Sequence, residues 1–315
     1  MEYRRLGRSG LKLGEVGLGS WLTVGHAVDE QATTEIVRKA YELGVNFFDT
    51  ANVYAAGRAE QLVGQALREL PRDTYVLATK VFFPMGEKPN QSGLSRKHIH
   101  EQAHASLKRL GADYIDLYQA HRYDNDAPLD EVLRAFDDLV RAGKVLYVGV
   151  SMWTANQIMQ AHALAEQMNL NKIVSNQPAY NMLHRDIEKD VISTCESLGV
   201  GQLAYSPLAQ GVLTGKYSGG AAPTGSRGAD PKGEGMFMGR YLRKENIQRV
   251  QRLQAVAADL GMTMAQMALT WCLRQKNVSS VICGAKRPQQ LEENVAASGK
   301  TIPEDALQRI EDILT

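Results

Sequence analysis

Eight short apolar runs, each followed by a stretch of helical periodicity, are spaced along almost the whole of this 315-residue chain. The runs are EVGLG (15–19), VNFFD (45–49), YVLATK (75–80), YIDLYQAH (114–121), VLYVGVS (145–151), KIVSNQ (172–177), GQLAYS (201–206) and SSVICG (279–284). Residues 29–43 illustrate the intervening pattern: Ile36, Val37, Ala40 and Leu43 share one helical face, and Asp29 stands where a cap belongs. Further helices are expected over 95–110, 129–142, 154–168, 187–198, 263–275 and 288–297. Strand–helix alternation implies parallel strands joined by crossover helices. Eight units predict an α/β fold of the (β/α)8 TIM-barrel type, as one domain over 1–315, since no shift in composition marks a boundary. A doubly wound sheet is the alternative, but its G-x-G-x-x-G turn is absent: Gly17 and Gly19 are followed by SWLTVG. The opening YRRLG-RSG-LKLGEVGLG reads as a β-hairpin ahead of the barrel. Residues 215–239 break the rhythm with eight glycines and no periodicity, which predicts a long loop with a function of its own.

Bulk properties narrow the function classes. A formal net charge of +1 gives no support to a nucleic-acid partner or an anionic membrane surface. No apolar run approaches the roughly 18 residues of a membrane span. The N-terminus has scattered charges and no apolar segment, unlike a secretory signal. Cys195, Cys272 and Cys283 are odd in number and widely spaced, which fits a reducing compartment; a cytoplasmic protein is expected.

Barrels of this kind gather chemistry at the C-terminal ends of their strands. Four residues expected there form a proton-transfer set. The second run ends at Asp49, with Tyr54 just beyond, the third at Lys80 and the fourth at His121. A phenol is a poor acid near neutral pH, its unperturbed pKa being about 10. A neighbouring ammonium is expected to lower that value, with Asp49 holding Lys80 charged. His121 could donate a hydrogen bond to a carbonyl oxygen. The set suits delivery of a proton to oxygen while something else arrives at carbon.

The ordered motifs GLGSW (17–21), FFDTANVY (47–54), ATK (78–80), HRYD (121–124), GVS (149–151), SNQPAYN (175–181), YSPLAQGVLTGKY (205–217) and GAKRPQQLEEN (284–294) resemble the aldo-keto reductases along essentially the full chain. YAAGRAE (54–60), GLSRKHI (93–99) and WCLR (271–274) are most similar to the branch containing voltage-gated potassium channel β subunits and related bacterial reductases. The resemblance implies NADPH-dependent reduction of an aldehyde or ketone, with NADH a weaker cofactor. It casts Tyr54 as general acid, Lys80 and Asp49 as its tuning pair, and His121 as the group that orients the carbonyl. The channel subunits carry asparagine at the position of His121, so the histidine favours a working enzyme over a regulatory, cofactor-sensing subunit with weak catalysis. Relatives in this branch form tetramers or larger rings, which makes a homo-oligomer an expectation.

The same resemblance assigns the cofactor. Ser20, Trp21 and Asp49 border it, Ser151, Asn176 and Gln177 meet the nicotinamide amide, and Tyr205 stacks on the ring. Ser206, Pro207, Leu208 and Gly211 of the SPLAQG turn, with Lys216 and Arg227, cover the pyrophosphate, making the Gly-rich segment a cofactor-covering loop. Gly284 allows close backbone approach. Lys286 and Arg287 meet a 2′-phosphate, and Gln290, Glu293 and Asn294 hold the adenosine end. Trp21, Tyr54, Phe82, His121, Tyr123 and Trp153 are expected to wall an apolar substrate pocket, within a set of strand-end aromatics that includes Phe83.

Two other chemistries compete. HEQAH (100–104) matches the H-E-x-x-H zinc-protease pattern. Ile99, Ala103, Leu107 and Leu110 claim the packed face of that helix, however, so the histidines should face outward and no metal is expected. Lys80 could serve a Schiff-base aldolase, because barrels host those too.

Overall fold

The computed structural model describes residues 1–219, 222–230 and 238–315. Residues 220–221 and 231–237 of the Gly-rich segment, and the loop reading made for them, lie outside the described residues.

The eight apolar runs form eight strands: β3 (Val16–Gly19), β4 (Phe47–Asp49), β5 (Val76–Val81), β6 (Ile115–Ala120), β7 (Val145–Ser151), β8 (Ile173–Gln177), β9 (Gly201–Tyr205) and β10 (Val278–Cys283). They close into a barrel of order β10-β3-β4-β5-β6-β7-β8-β9, parallel at every seam. Ahead of it, β1 (Tyr3–Arg5) and β2 (Lys12–Gly14) pair antiparallel as the expected hairpin.

Strand alternation sends every second side chain into the barrel. Phe47, Val76, Ala78, Leu117, Leu203 and Ile282 make a core there, and Leu6 and Leu13 of the hairpin region complete it, both wholly buried. The hairpin therefore stoppers the N-terminal end. Arg4 fastens it: its guanidinium donates to the carbonyls of Leu273 (2.8 Å) and Val278 (2.9 Å) and to Glu15 Oε1 (2.7 Å). Glu15 Oε2 in turn accepts from Ser298 Oγ and the Gly299 amide. With that end filled, the barrel's large cavity lies at its C-terminal mouth.

Ten helices among the described residues pack outside. Seven follow the predicted stretches: α1 (Glu30–Glu42), α3 (Arg96–Leu110), α4 (Leu129–Arg141), α5 (Ala155–Gln167), α6 (Val191–Leu198), α8 (Met264–Leu273) and α9 (Pro288–Val295). Asp29 caps α1 by accepting from the Ala32 amide, and Thr154 with Gln157 forms a capping box on α5. Three were not read from the sequence: α2 (Arg58–Leu67), α7 (Lys244–Asp259) and α10 (Glu304–Leu314). None of the three has a side-chain N-cap; their first turns are preceded by Gly57, Arg243 and Pro303.

The HEQAH histidines lie on α3, with His104 exposed and His100 half-buried rather than fully outward. Among the described residues no group of three His, Cys, Asp or Glu side chains could hold a metal ion. Nor is any described helix long and apolar enough to cross a membrane. All three cysteines are buried and unpaired, and burial pushes the Cys195 thiol up to about 11 and that of Cys283 to about 12.

α2 and α3 approach closely at Gly64. A Cβ there would stand 2.2 Å from the Leu110 carbonyl oxygen, a backbone atom that cannot swing aside. Gly64→Ala is therefore expected to cost about 1–3 kcal/mol through overpacking, despite alanine's better helix propensity. Urea denaturation measures this, and an unchanged midpoint would contradict the close helix contact.

Candidate active site

Lys80 is the fifth residue of β5 and points into the barrel. Its ammonium is wholly buried, and its three protons have three acceptors: Asp49 Oδ1 at 2.5 Å, the Thr50 carbonyl at 2.8 Å and the Tyr54 hydroxyl at 3.4 Å. Asp49, the last residue of β4, is 4% exposed. Its other oxygen accepts from Gln177 Nε2 (2.9 Å) and Gln119 Nε2 (3.3 Å). The Asp49 carboxylate is thus enclosed by donors from β5, β6 and β8.

Tyr54 begins a short 3-10 turn after β4. Its hydroxyl lies 3.4 Å from Lys80 Nζ and 3.4 Å from His121 Nε2, and the tyrosine and histidine rings meet edge-on with centroids 5.6 Å apart. Placing Tyr54 there strains the chain: the next two residues, Ala55 and Ala56, have φ of 49° and 52°. Of the eight non-glycine residues with positive φ among the described residues, all but Asn169 follow the C-terminal end of a barrel strand. Such conformations cost roughly 1–3 kcal/mol each and cluster where function over-determines the backbone.

The electrostatics correct one expectation. Burial raises the Tyr54 pKa well above its ordinary value, Asp49 and Tyr205 raise it further, and Arg122 opposes them. The hydroxyl therefore keeps its proton at rest, and Lys80 does not produce a resting phenolate, because desolvation of the phenolate outweighs the nearby cation. Lys80 is itself lowered by burial, with Asp49 opposing. His121 is lowered well below its usual value by burial, then by Lys80 and Arg122, so its imidazole is neutral at pH 7. The result is a neutral phenol and a neutral imidazole side by side over a buried cation.

These groups form the floor of a cavity of about 1030 Å³ at the C-terminal mouth. Trp21, Asp49, Ser151, Gln177 and Tyr205 line it as the strand ends predict, and Ser206, Arg227, Gly284 and Lys286 line it from the loops after β9 and β10. Arg227 bonds Gln210 Oε1 and sits over Gly284, where a Cβ would stand 3.5 Å from its Nη2 and 3.2 Å from Thr23 Cγ2. Arg227 therefore bridges the loop after β9 and the loop after β10.

Other predicted residues stand elsewhere. Asn176 neighbours Gln177 in a strand, so the two face opposite ways. Gln177 reaches Asp49 inside the barrel, while Asn176 bonds Gln202 (3.2 Å) and does not line the cavity. Ser20 is likewise turned from it, toward Thr33, Ile36 and Val63, whereas its neighbours Gly19 and Trp21 face in. Pro207 and Leu208 lie behind Ser206, and exposed Lys216 packs against Gly211. Gln290 accepts from the Lys286 amide (2.7 Å) and shapes that loop from behind. Glu293 and Arg287 are exposed on or beside α9, and Asn294 is buried. In the substrate wall Phe83, not Phe82, lines the cavity, against the His121 ring at 4.9 Å; Phe82 packs on the outer core. Tyr123 and Trp153 meet edge-on with centroids 4.8 Å apart, off the cavity lining. Two residues escaped the sequence reading. Gln119 could have been found as a polar residue at inward register two before His121, and Arg122 as the charge next to it.

The sequence model described as Aldo/keto reductase family matches residues 15–315. The chain belongs to the aldo/keto reductase family. Similar curated relatives are named "Probable voltage-gated potassium channel subunit beta". The Arabidopsis thaliana protein is 43% identical over 300 residues, covering 94% of this chain and 91% of the relative. The Oryza sativa subsp. japonica protein is 41% identical with the same coverage. The family is one of oxidoreductases that bind nicotinamide cofactors, commonly NADPH. The residues present fit such a group: a cavity running from Tyr54 and His121 to Lys286, a Tyr205 ring on its wall, and a cradle at Gly284 that a side chain would fill.

The Asp49–Lys80 pair gives a pH signature. In Asp49→Asn the buried ammonium loses its counterion, at a cost of about 3–5 kcal/mol at pH 7. Burial, now unopposed by that carboxylate, depresses the folded-state Lys80 pKa further below its ordinary 10.5. The unfolded chain then holds a proton the folded chain has released, so the variant gains stability as pH rises from 7 toward 10.5. Chemical denaturation of the variant at several pH values reads this; stability falling over that range would contradict it.

Proposed function

We propose that this family member reduces aldehydes and ketones to alcohols with NADPH, with Tyr54 as general acid, as one catalytic unit over residues 1–315. The observation that carries the reading is the Tyr54 hydroxyl at 3.4 Å from both Lys80 Nζ and His121 Nε2, on the floor of the barrel-mouth cavity. Reduced nicotinamide, when bound, supplies the hydride taken up at the carbonyl carbon. Tyr54 and His121 Nε2 both aim at the place a carbonyl oxygen would occupy and polarise it by hydrogen bonds. As charge builds on that oxygen, the Tyr54 proton passes to it. The phenolate left behind lies beside the Lys80 ammonium, whose attraction for it is absent while the phenol is neutral; the cation thus favours the charge-separated state over the resting one. Asp49, Gln119 and Gln177 keep Lys80 in place for this.

Ser151 and Gln177 are expected at the nicotinamide amide, Tyr205 at its ring, and Arg227 and Lys286 at the phosphates, the latter just before the N-terminus of α9, a favourable place for an anion. Lys286 and Arg287 support NADPH over NADH through the 2′-phosphate. The buried, unpaired cysteines support a reducing, cytoplasmic setting.

A second reading draws on the names of the relatives: a cofactor-binding regulatory subunit with weak catalysis. Turnover separates the two. Tyr54→Phe is expected to bind NADPH as the parent does and to lose about 10²–10⁴-fold in kcat; near-parental reduction would remove Tyr54 from its role. Lys286→Ala is expected to weaken NADPH about 10–100-fold, the worth of a charge-assisted contact, and NADH much less. Fluorescence titration with both cofactors tests this, and equal losses would count against 2′-phosphate recognition.

A further inference from the structure

We propose that Arg122 forms an anion-binding subsite beside the catalytic tyrosine and histidine, and that the preferred carbonyl substrates carry a carboxylate or phosphate group. This rests on the reductase reading and narrows its substrate class.

Arg122 is the first residue past His121 and lines the cavity. Its guanidinium is held on two sides. Nη1 donates to the His121 carbonyl at 2.5 Å, and the plane lies 5.4 Å from the Phe83 ring centroid, itself against the His121 ring. No carboxylate among the described residues pairs with it. The nearest acid in sequence, Asp124, accepts from the amides of Leu94 (2.6 Å) and Asp126 (3.0 Å). Asp49 is committed to Lys80 and two glutamines. The charge reaches the reacting groups: it contributes to the lowering of His121 and Lys80, and lowers Tyr54 and Tyr205 against the burial that raises them.

A positioned guanidinium with a free edge suits the paired oxygens of carboxylate or phosphate. The cofactor's phosphates are not the natural occupant. In the barrel order β6, which leads to Arg122, stands four strands from β10 in either direction, diametrically across from Gly284 and Lys286. The anion therefore belongs to the substrate end of the cavity, attached to the molecule whose carbonyl meets Tyr54.

The test compares matched aldehydes by kcat/KM at saturating NADPH: 4-oxobutanoate against butanal for carboxylate, and glycolaldehyde phosphate against glycolaldehyde for phosphate. The parent is expected to favour the anionic member at least roughly 10-fold in one arm or both, which identifies the group. Arg122→Gln is expected to lower that ratio roughly 10–100-fold, with Arg122→Lys between. A ratio near one in both arms of the parent, or a ratio unmoved by Arg122→Gln, overturns the proposal. A second readout needs no turnover: calorimetric titration of butanoate and of ethyl phosphate into the protein, with binding of at least one expected in the parent and lost in Arg122→Gln. Arg122-dependent binding of either anion without reduction of any carbonyl would retain the subsite and remove the reductase reading. Absence of binding by both anions in the parent, or binding indifferent to Arg122, overturns the subsite.

Discussion

A charged amine with no access to water, at the centre of a barrel, is the constraint around which the rest of the site is arranged. Lys80 can stay protonated there only because Asp49, the Thr50 carbonyl and the Tyr54 hydroxyl take all three of its protons. Asp49 can stay ionised because Gln119 and Gln177 satisfy its second oxygen. All of these groups except Tyr54, which begins the turn after β4, lie within a residue of a strand end, so the closure of the sheet and the neutralisation of the charge are one requirement. A buried pair of this kind adds little to stability compared with apolar packing; its use is to hold a cation against a phenol.

The two ends of the barrel divide the labour. At the N-terminal end, Arg4 donates to backbone carbonyls, Glu15 accepts from Arg4 and the Gly299 amide, and Leu6 and Leu13 join Phe47 in filling the interior. At the C-terminal end the chain adopts left-handed conformations at Leu22, Ala55, Ala56, Met152, Ser206, Ala209 and Gln210. Energy stored there is offset by packing elsewhere, and it sets Tyr54, Tyr205 and the β9 loop around one cavity. The cations on the rim are sorted as well, with Lys286 and Arg227 across the barrel from Arg122.

Much of this was legible in the linear chain. All eight barrel strands were found within a residue or two, because parallel strands buried on both faces read as continuous apolar runs. Asp49, Lys80 and His121 were legible because they end those runs, and Tyr54 because it follows one closely. Some residues stand off the cavity for specific reasons. Asn176 and Ser20, which the resemblance assigned to the cofactor, are next to Gln177 and Trp21, and alternation turns neighbours to opposite faces. Phe82 and Phe83 are indistinguishable until the turn after β5 chooses one. The helices α2, α7 and α10 were not read from the sequence, and a missing side-chain cap does not explain it, since α4, α6 and α9 lack one too and were found.

Local order was thus set by the sequence: the period of the apolar pattern specified strands and helices, their alternation specified a parallel barrel, and the residues at and just past the strand ends pointed to a proton-transfer set as the candidate chemistry. What only the tertiary structure decided is how those residues feel one another. The Tyr54 phenol keeps its proton, His121 is neutral and Arg122 shares their cavity, because desolvation and charge pairing depend on distances between strands that are far apart in the chain. A pKa is a property of a residue's enclosure, and the enclosure exists only once the barrel has closed.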